Sequence, residues 1–187
     1  MSKVIIFSAP SGTGKTTIVR SVLKQFPDLV FSISATTREK RGVEKDGVDY
    51  FFLSEGEFKK KIEQDEFVEW ETFYEYYYGT LRSFIESHLK ANKSIVLELD
   101  VKGALKIKES YSNAVSIFIK PPSIDELKNR LRKRQTESDN DLIKRFERAE
   151  MEMKYQNKFD YIIVNDNLDR AKEEVYNIIN KVLIEEE

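Results

Sequence analysis

The stretch Ala9-Pro10-Ser11-Gly12-Thr13-Gly14-Lys15-Thr16-Thr17 carries the strongest chemical signal in this chain. It follows an apolar run, Val4 to Phe7, and precedes an amphipathic pattern from Thr16 to Gln25, which is the setting a phosphate-binding loop requires. Gly12 and Gly14 let backbone N–H groups turn inward around phosphate oxygens, and the helix N-terminus adds a favourable dipole. Lys15 is placed to reach the β- and γ-phosphates of a nucleoside triphosphate, and the Thr16 hydroxyl to hold Mg²⁺. The usual pattern has glycine where Ala9 stands. The plainer alternative is a glycine-rich turn joining a strand to a helix.

A second set of polar residues follows: Ser34, then Thr36-Thr37-Arg38, Arg41, Glu44 and Tyr50. Guanidinium forks bind phosphate bidentately, so Arg38, Arg41 and Tyr50 can converge on one anion. Taken by composition alone, the same stretch reads as a solvated charged loop. Glu98 and Asp100 alternate along a strand-like run and share a face, near the carboxyl end where parallel sheets place ligands. They can orient Mg²⁺-bound waters and a nucleotide, or simply be acids at a strand end. The one histidine, His88, falls on a helical pattern with no nucleophile or metal partner nearby in sequence, and reads as a surface residue.

These groups need a scaffold, and the apolar pattern supplies one. Short runs rich in β-branched residues at Val4 to Phe7, Ile95 to Leu99, Val115 to Ile119 and Tyr161 to Val164 have the length of buried parallel strands. Helical patterns lie between and beyond them: Thr16 to Gln25, Leu81 to Ala91, Lys102 to Glu109, Ile124 to Arg134, Asp141 to Tyr155 and Arg170 to Leu183. Alternating strands and helices predict an α/β fold. Two capping boxes, Ser54 with Glu57 and Ser123 with Glu126, mark helix starts. From about Ile33 to Phe84 the alternation breaks, and an aromatic cluster from Phe67 to Tyr78 predicts an inserted β-rich lobe with its own core. Ser123 to Glu150 is nearly all charge on helical patterns, which suits a mobile lid.

The 187 residues suffice for one domain. Lys and Arg number 31 against 33 Asp and Glu, so no global positive field calls for a nucleic acid or an anionic membrane, and any anion site is local. The absence of cysteine excludes disulfides, thiolate metal sites and a cysteine nucleophile, and fits a reducing compartment. No apolar run is long enough for a signal peptide or a membrane span. A cytoplasmic protein is expected.

The chain resembles the guanylate kinase family over essentially its whole length. The matching stretches are Ser8 to Thr17, the block from Thr36-Thr37-Arg38 to Phe52, Tyr77-Tyr78-Gly79-Thr80, Leu97 to Gly103, the arginine-rich lid, and Val164-Asn165-Asp166. The resemblance implies a three-layer P-loop NTPase fold: a central parallel sheet in a core (1–33, 84–122, 151–187), a GMP-binding lobe (34–83) and a helical lid (123–150). It implies ATP and GMP, and also dGMP, as small-molecule substrates with Mg²⁺, in a monomer or homodimer. Carried over residue by residue, it implies that Ala9 to Thr17, Arg130, Arg134 and Asn165 serve ATP. Arg38, Arg41, Tyr50 and Tyr78 then serve the GMP phosphate, and Ser34, Glu69, Thr80 and Asp100 the guanine. The implied catalytic groups are Lys15, Arg38, Arg134 and Arg145, with Thr16 on the metal and Glu98 and Asp100 acting through water. The chemistry of Glu69 agrees, since a carboxylate can accept from both N1–H and the exocyclic amine of guanine, whereas adenine offers neither on that edge. The family more often has Asp at position 98 and Gly at position 135, where this chain has Glu98 and Gln135. Related folds that bind phosphopeptides without catalysis, or phosphorylate another phosphorylated acceptor such as a ribose bisphosphate, are the competing readings. The intact Gly12, Gly14, Lys15 and Thr16 argue against the first, and Glu69 with Thr80 against the second.

Overall fold

The computed structural model describes residues 2–73, 75–132 and 139–184. Five parallel strands form the central sheet: β1 (Val4–Ser8), β2 (Val30–Phe31), β7 (Ile95–Leu99), β8 (Ala114–Lys120) and β9 (Tyr161–Val164). Their order is β2-β7-β1-β8-β9. The four predicted strands are present to within a residue at each end; β2 is additional, and its two residues are too few to carry a periodic signal.

Period-two alternation explains why these strands read as continuous apolar runs. Ile5 and Phe7 of β1 face one layer, with Val96, Ile117 and Ile163, against Ile18, Val19 and Val22 of α1 (Lys15–Gln25) and Ala171, Val175 and Ile179 of α7 (Leu168–Ile184). Val4 and Ile6 face the opposite layer, with Leu97 and Phe118, against Ile85 of α3 (Arg82–Lys90) and Ala104 and Ile107 of α4 (Val101–Ser110). Both faces are covered, so the fold is a three-layer α/β sandwich. β1 lies between β7 and β8, and α1 carries the chain from β1 across to β2 on one side while β8 and β9 extend the other. That reversal opens a crevice at the carboxyl ends of β1 and β7.

Between β2 and α3 the chain builds a second sheet from β3 (Ala35–Thr36), β4 (Phe51–Phe52), β5 (Phe67–Phe73) and β6 (Tyr76–Leu81), in the order β4-β3-β6-β5. Its apolar side closes on α2 (Glu55–Glu63) through Phe58, which stacks on Phe67 with ring centroids 4.3 Å apart. Gly79 admits this pair: a Cβ there would stand 2.8 Å from the Phe67 ring and 3.1 Å from Phe58. Ser54 caps α2 in the reciprocal arrangement expected, its hydroxyl accepting from the Glu57 amide while the Glu57 carboxylate accepts from the Ser54 amide.

The predicted charged helical stretch forms α5 (Ile124–Arg132) and α6 (Asp139–Met153), which meet through Leu127, Leu131, Phe146 and Ala149. At Ser123 half of the expected box is present. The Glu126 amide donates to the Ser123 hydroxyl, while the Glu126 carboxylate accepts instead from Arg130 Nε, at 2.9 Å. Arg134, Gln135 and the acidic stretch Glu185 to Glu187 lie outside the described residues. Among the described residues, no helix is long and apolar enough to cross a membrane.

Candidate active site

The turn between β1 and α1 wraps toward the crevice because two of its residues are in the left-handed region, Gly12 at φ +89° and Gly14 at φ +90°. Space fixes them as firmly as conformation does. A Cβ on Gly12 would meet Leu131 of α5 at 2.9 Å, and one on Gly14 would meet the Asn165 amide at 2.7 Å. Thr13, fully buried, ties the turn together by donating its hydroxyl to the Pro10 carbonyl at 3.0 Å, and Asn165 Nδ2 donates to the Thr13 carbonyl at 2.7 Å. Asn165, just past β9, therefore braces the loop as well as facing a small hollow of about 390 Å³ that Gly12, Gly14, Thr17, Arg130 and Leu168 also line.

A larger cleft of about 730 Å³ runs from this turn to the second sheet. Ala9 through Thr17 line one end, Ser34, Tyr50, Glu69 and Tyr78 the other, and Glu98, Asp100 and Arg145 lie between. Lys15 Nζ donates to the Leu99 carbonyl at 2.8 Å. Burial pushes its ammonium below the usual lysine range, against the pull of Glu98, Glu152 and Asp100. The Thr16 hydroxyl donates to Glu98 Oε1 at 2.5 Å, so the glutamate, one methylene longer than aspartate, reaches the base of the loop directly. Arg145 of α6 reaches Ser11 Oγ at 3.4 Å.

At the far end Glu69 is 6% exposed, and Thr80 donates its hydroxyl to Glu69 Oε1 at 2.6 Å. The pairing is created by an irregularity: β5 opposes β6 as Phe67 to Leu81 and then Glu69 to Thr80, so the register slips by one residue at Val68. Without that bulge Glu69 would face Gly79. Burial lifts the Glu69 carboxyl to about 7, opposed by the Thr80 hydroxyl and aided by the charge on Asp100. Thr80 lies behind Glu69 as its support.

Arg38 is almost fully buried, its guanidinium 5.1 Å from the Tyr50 ring centroid and 5.7 Å from that of Phe52. Both terminal nitrogens are forked onto Glu44, each at 2.9 Å, and this pairing, followed by the Arg41 amide, holds the Glu44 carboxyl down at about 2. An anion arriving at Arg38 must share or displace Glu44. Tyr50 and Tyr78 stand edge to face with ring centroids 6.3 Å apart, and burial pushes the Tyr50 hydroxyl upward, which keeps it a neutral donor. Arg41 is exposed beside this group, and its amide donates to Glu44 at 2.7 Å. His88 bonds to the Phe84 carbonyl of its own helix, away from the cleft.

Four charged residues that the sequence did not single out also line the cleft: Glu71, Lys144, Arg148 and Glu152. Arg148 of α6 donates through Nη2 to Asp100 Oδ2 at 3.0 Å and approaches Glu71 at 3.4 Å, and through Nε to Glu152 at 2.9 Å. Burial and a hydrogen bond with Asp100 raise the Glu71 carboxyl. Two signals were available. Glu71 alternates with Glu69 as Asp100 does with Glu98, and Arg145, Arg148 and Glu152 recur at helical spacing on one face.

A family model described as guanylate kinase matches residues 1–182. Guanylate kinase from Thermotoga maritima is 48% identical over 177 residues, covering 95% of this chain and 86% of that protein. Guanylate kinase from Caldanaerobacter subterraneus is 49% identical over 176 residues, covering 94% and 85%. The crystal structure of guanylate kinase from Anaplasma phagocytophilum superposes with a TM-score of 0.76 at 29% identity, covering 96% of this chain and 85% of the other.

Proposed function

The chain belongs to the guanylate kinase family, nucleoside monophosphate kinases that move the γ-phosphoryl group of ATP to GMP, and we propose that the two ends of its large cleft take the two nucleotides. One observation carries this reading. The glycine turn with Lys15 and the buried Glu69, which Thr80 holds from behind, line a single continuous cleft, so a donor phosphate and a guanine acceptor can share one space. By the same reading, 34–83 is the GMP-binding lobe, 123–150 the lid and the remainder the core.

Phosphoryl transfer asks little covalent chemistry of the protein, so the work is positioning and charge stabilisation. The Gly12–Thr16 amides and the α1 N-terminus hold the ATP phosphates, and Lys15 exchanges the Leu99 carbonyl for phosphate oxygens. Arg38, Arg41, Tyr50 and Tyr78 hold the GMP phosphate, with Glu44 giving up part of the Arg38 fork. Glu69 accepts from guanine N1–H and the 2-amine, Thr80 keeps its carboxylate oriented, and Ser34 and Asp100 complete the base contacts. Arg145, together with Arg134, brings positive charge to the phosphoryl group in transit. The attacking GMP phosphate oxygen is already an anion, so no histidine base is needed.

The donor set suits Mg²⁺, a hard cation that keeps several waters and takes one or two protein oxygens alongside substrate phosphates. Thr16 and Glu98 supply such oxygens at the foot of the turn, with Asp100 nearby. No cluster of three acidic, histidine or cysteine side chains able to hold a metal independently occurs among the described residues. When bound, the ion offsets charge on the phosphate oxygens.

Phosphorus NMR of a mixture of the protein, ATP, Mg²⁺ and GMP tests the reading. Resonances of ADP and GDP growing together in equal amounts are expected; inorganic phosphate in place of GDP would mean hydrolysis and would overturn it. Within this scheme Arg145→Ala should lower kcat on the order of 100-fold, as loss of one donor to a developing charge does. GMP affinity should change little, because Arg145 contacts Ser11 at the opposite end of the cleft. Steady-state kinetics alongside GMP calorimetry separate the two, and an unchanged kcat would remove Arg145 from the transfer step.

A further inference from the structure

Glu69 lies on β5 and Asp100 follows β7 as the N-cap of α4, and the residue that lies between them is Gly103 in the first turn of α4. Its amide donates to Asp100 Oδ1 at 2.8 Å, the side-chain cap of that helix. Its bare Cα faces Glu69: a Cβ there would stand 2.8 Å from Glu69 Oε2, and 3.2 Å from both Glu69 Cδ and Asp100 Oδ1. The backbone at Gly103 is helical and right-handed, so no conformational demand calls for glycine, which is destabilising inside a helix relative to alanine. What the position demands is space.

We infer that Gly103 is a specificity-determining residue: the side chain it lacks is the room the Glu69 carboxylate occupies, and the first turn of α4 sets the spacing of the two acids that read the base. This rests on the reading of that end of the cleft as the guanine site. The atoms a methyl group would strike are the end of the Glu69 side chain and an oxygen of Asp100, so the clash can be relieved without moving backbone. Relief is not free for function. Glu69 is held through its other oxygen by Thr80 at 2.6 Å, in a site where it is 6% exposed, so a displaced carboxylate gives up that bond or its aim. Gly103→Ala should therefore keep the fold and lose base reading.

The experiment compares wild type, Gly103→Ala, Glu69→Asp and the double variant with GMP and with inosine monophosphate, which lacks the 2-amine. For Gly103→Ala, KM for GMP should rise about tenfold or more, the loss of one charge-assisted hydrogen bond, KM for ATP should stay near wild type, and the preference for GMP over inosine monophosphate should fall. Glu69→Asp, which withdraws the carboxylate by one methylene, should impair the wild type yet improve the Gly103→Ala protein. Such a reversal of sign is expected of side chains that compete for one space. An unchanged KM for GMP and an unchanged base preference in a folded Gly103→Ala protein would overturn the inference. Should Gly103→Ala fail to fold, thermal melting in the Glu69→Ala background decides: restored folding upholds the contact, and an equal loss in both backgrounds overturns it. Failure of the guanine-site reading is distinguishable, because wild type would then show no preference for GMP at all while the melting comparison would still report on the contact.

Discussion

Lys15→Met is expected to abolish turnover, by about 10³-fold or more for a charge aimed at the transferring group, while GMP binds almost as well as to the wild type. Methionine has nearly the length and volume of the lysine stem, so the strand-to-helix turn should keep its shape. What disappears is the ammonium, now held on the Leu99 carbonyl at 2.8 Å between Glu98, Glu152 and Asp100. That group belongs to the triphosphate end of the cleft. Of the proposed GMP contacts, Arg38, Tyr50, Glu69 and Tyr78 come from the second sheet and its loop, and Asp100, at the start of α4, comes from the core. Calorimetry with GMP on a variant shown by circular dichroism to be folded is the check. Loss of GMP affinity together with activity would mean that the two ends of the cleft are not separate sites.

The second large effect belongs to Glu69. Glu69→Gln should lower kcat/KM for GMP by about 10- to 100-fold, the worth of a hydrogen bond to a charged group. Discrimination against AMP should shrink with it, because the amide also donates and no longer strands a charge against a base offering only an acceptor at N1. The pH behaviour follows from the lifted carboxyl. With its titration near 7, free Glu69 is partly protonated at neutral pH, whereas accepting two N–H groups requires the anion. GMP binding should thus release protons around pH 6 to 7, and affinity should rise as pH increases through about 7 before levelling off. In Glu69→Gln the proton release, read by calorimetry in buffers of different ionisation enthalpy, should fall. The stability consequence has the opposite sense. A carboxyl lifted in the folded state binds its proton more tightly there than in the unfolded chain, so its contribution declines as pH rises from the ordinary carboxylate range through about 7. Chemical denaturation of Glu69→Gln and wild type should show the variant gaining relative stability across that window. A discrimination ratio untouched by the substitution would shift base reading to Ser34 and Asp100.

How far the sequence discloses this arrangement depends on whether a feature is contiguous in the chain. The phosphate-binding turn is legible because strand, glycines, lysine and helix occur within one short stretch. Buried on both faces, the central strands leave an unbroken apolar run that composition alone reveals. Glu69 is legible only through the family resemblance. Its pairing with Thr80 depends on a one-residue slip at Val68 that no side-chain pattern announces, and its room depends on Gly103, far along the chain. Arg148 reads as one more solvated charge on a charged helix until folding sets it against Asp100 and Glu71. Asn165 sits in a Val-Asn-Asp stretch that reads as a turn, and its bond to the Thr13 carbonyl joins residues at opposite ends of the sequence.

In the proposed reading, one cleft holds an ATP phosphate site and a guanine-reading acceptor site. A coupled assay of ADP release, run with ATP and Mg²⁺ against GMP, AMP, CMP and UMP in turn, tests it most directly. Rapid ADP release with GMP is expected, with kcat/KM for the other acceptors lower by roughly 10⁴-fold, as befits a site built around a buried hydrogen-bonded group. No ADP release with GMP, or comparable release with all four nucleotides, would contradict it.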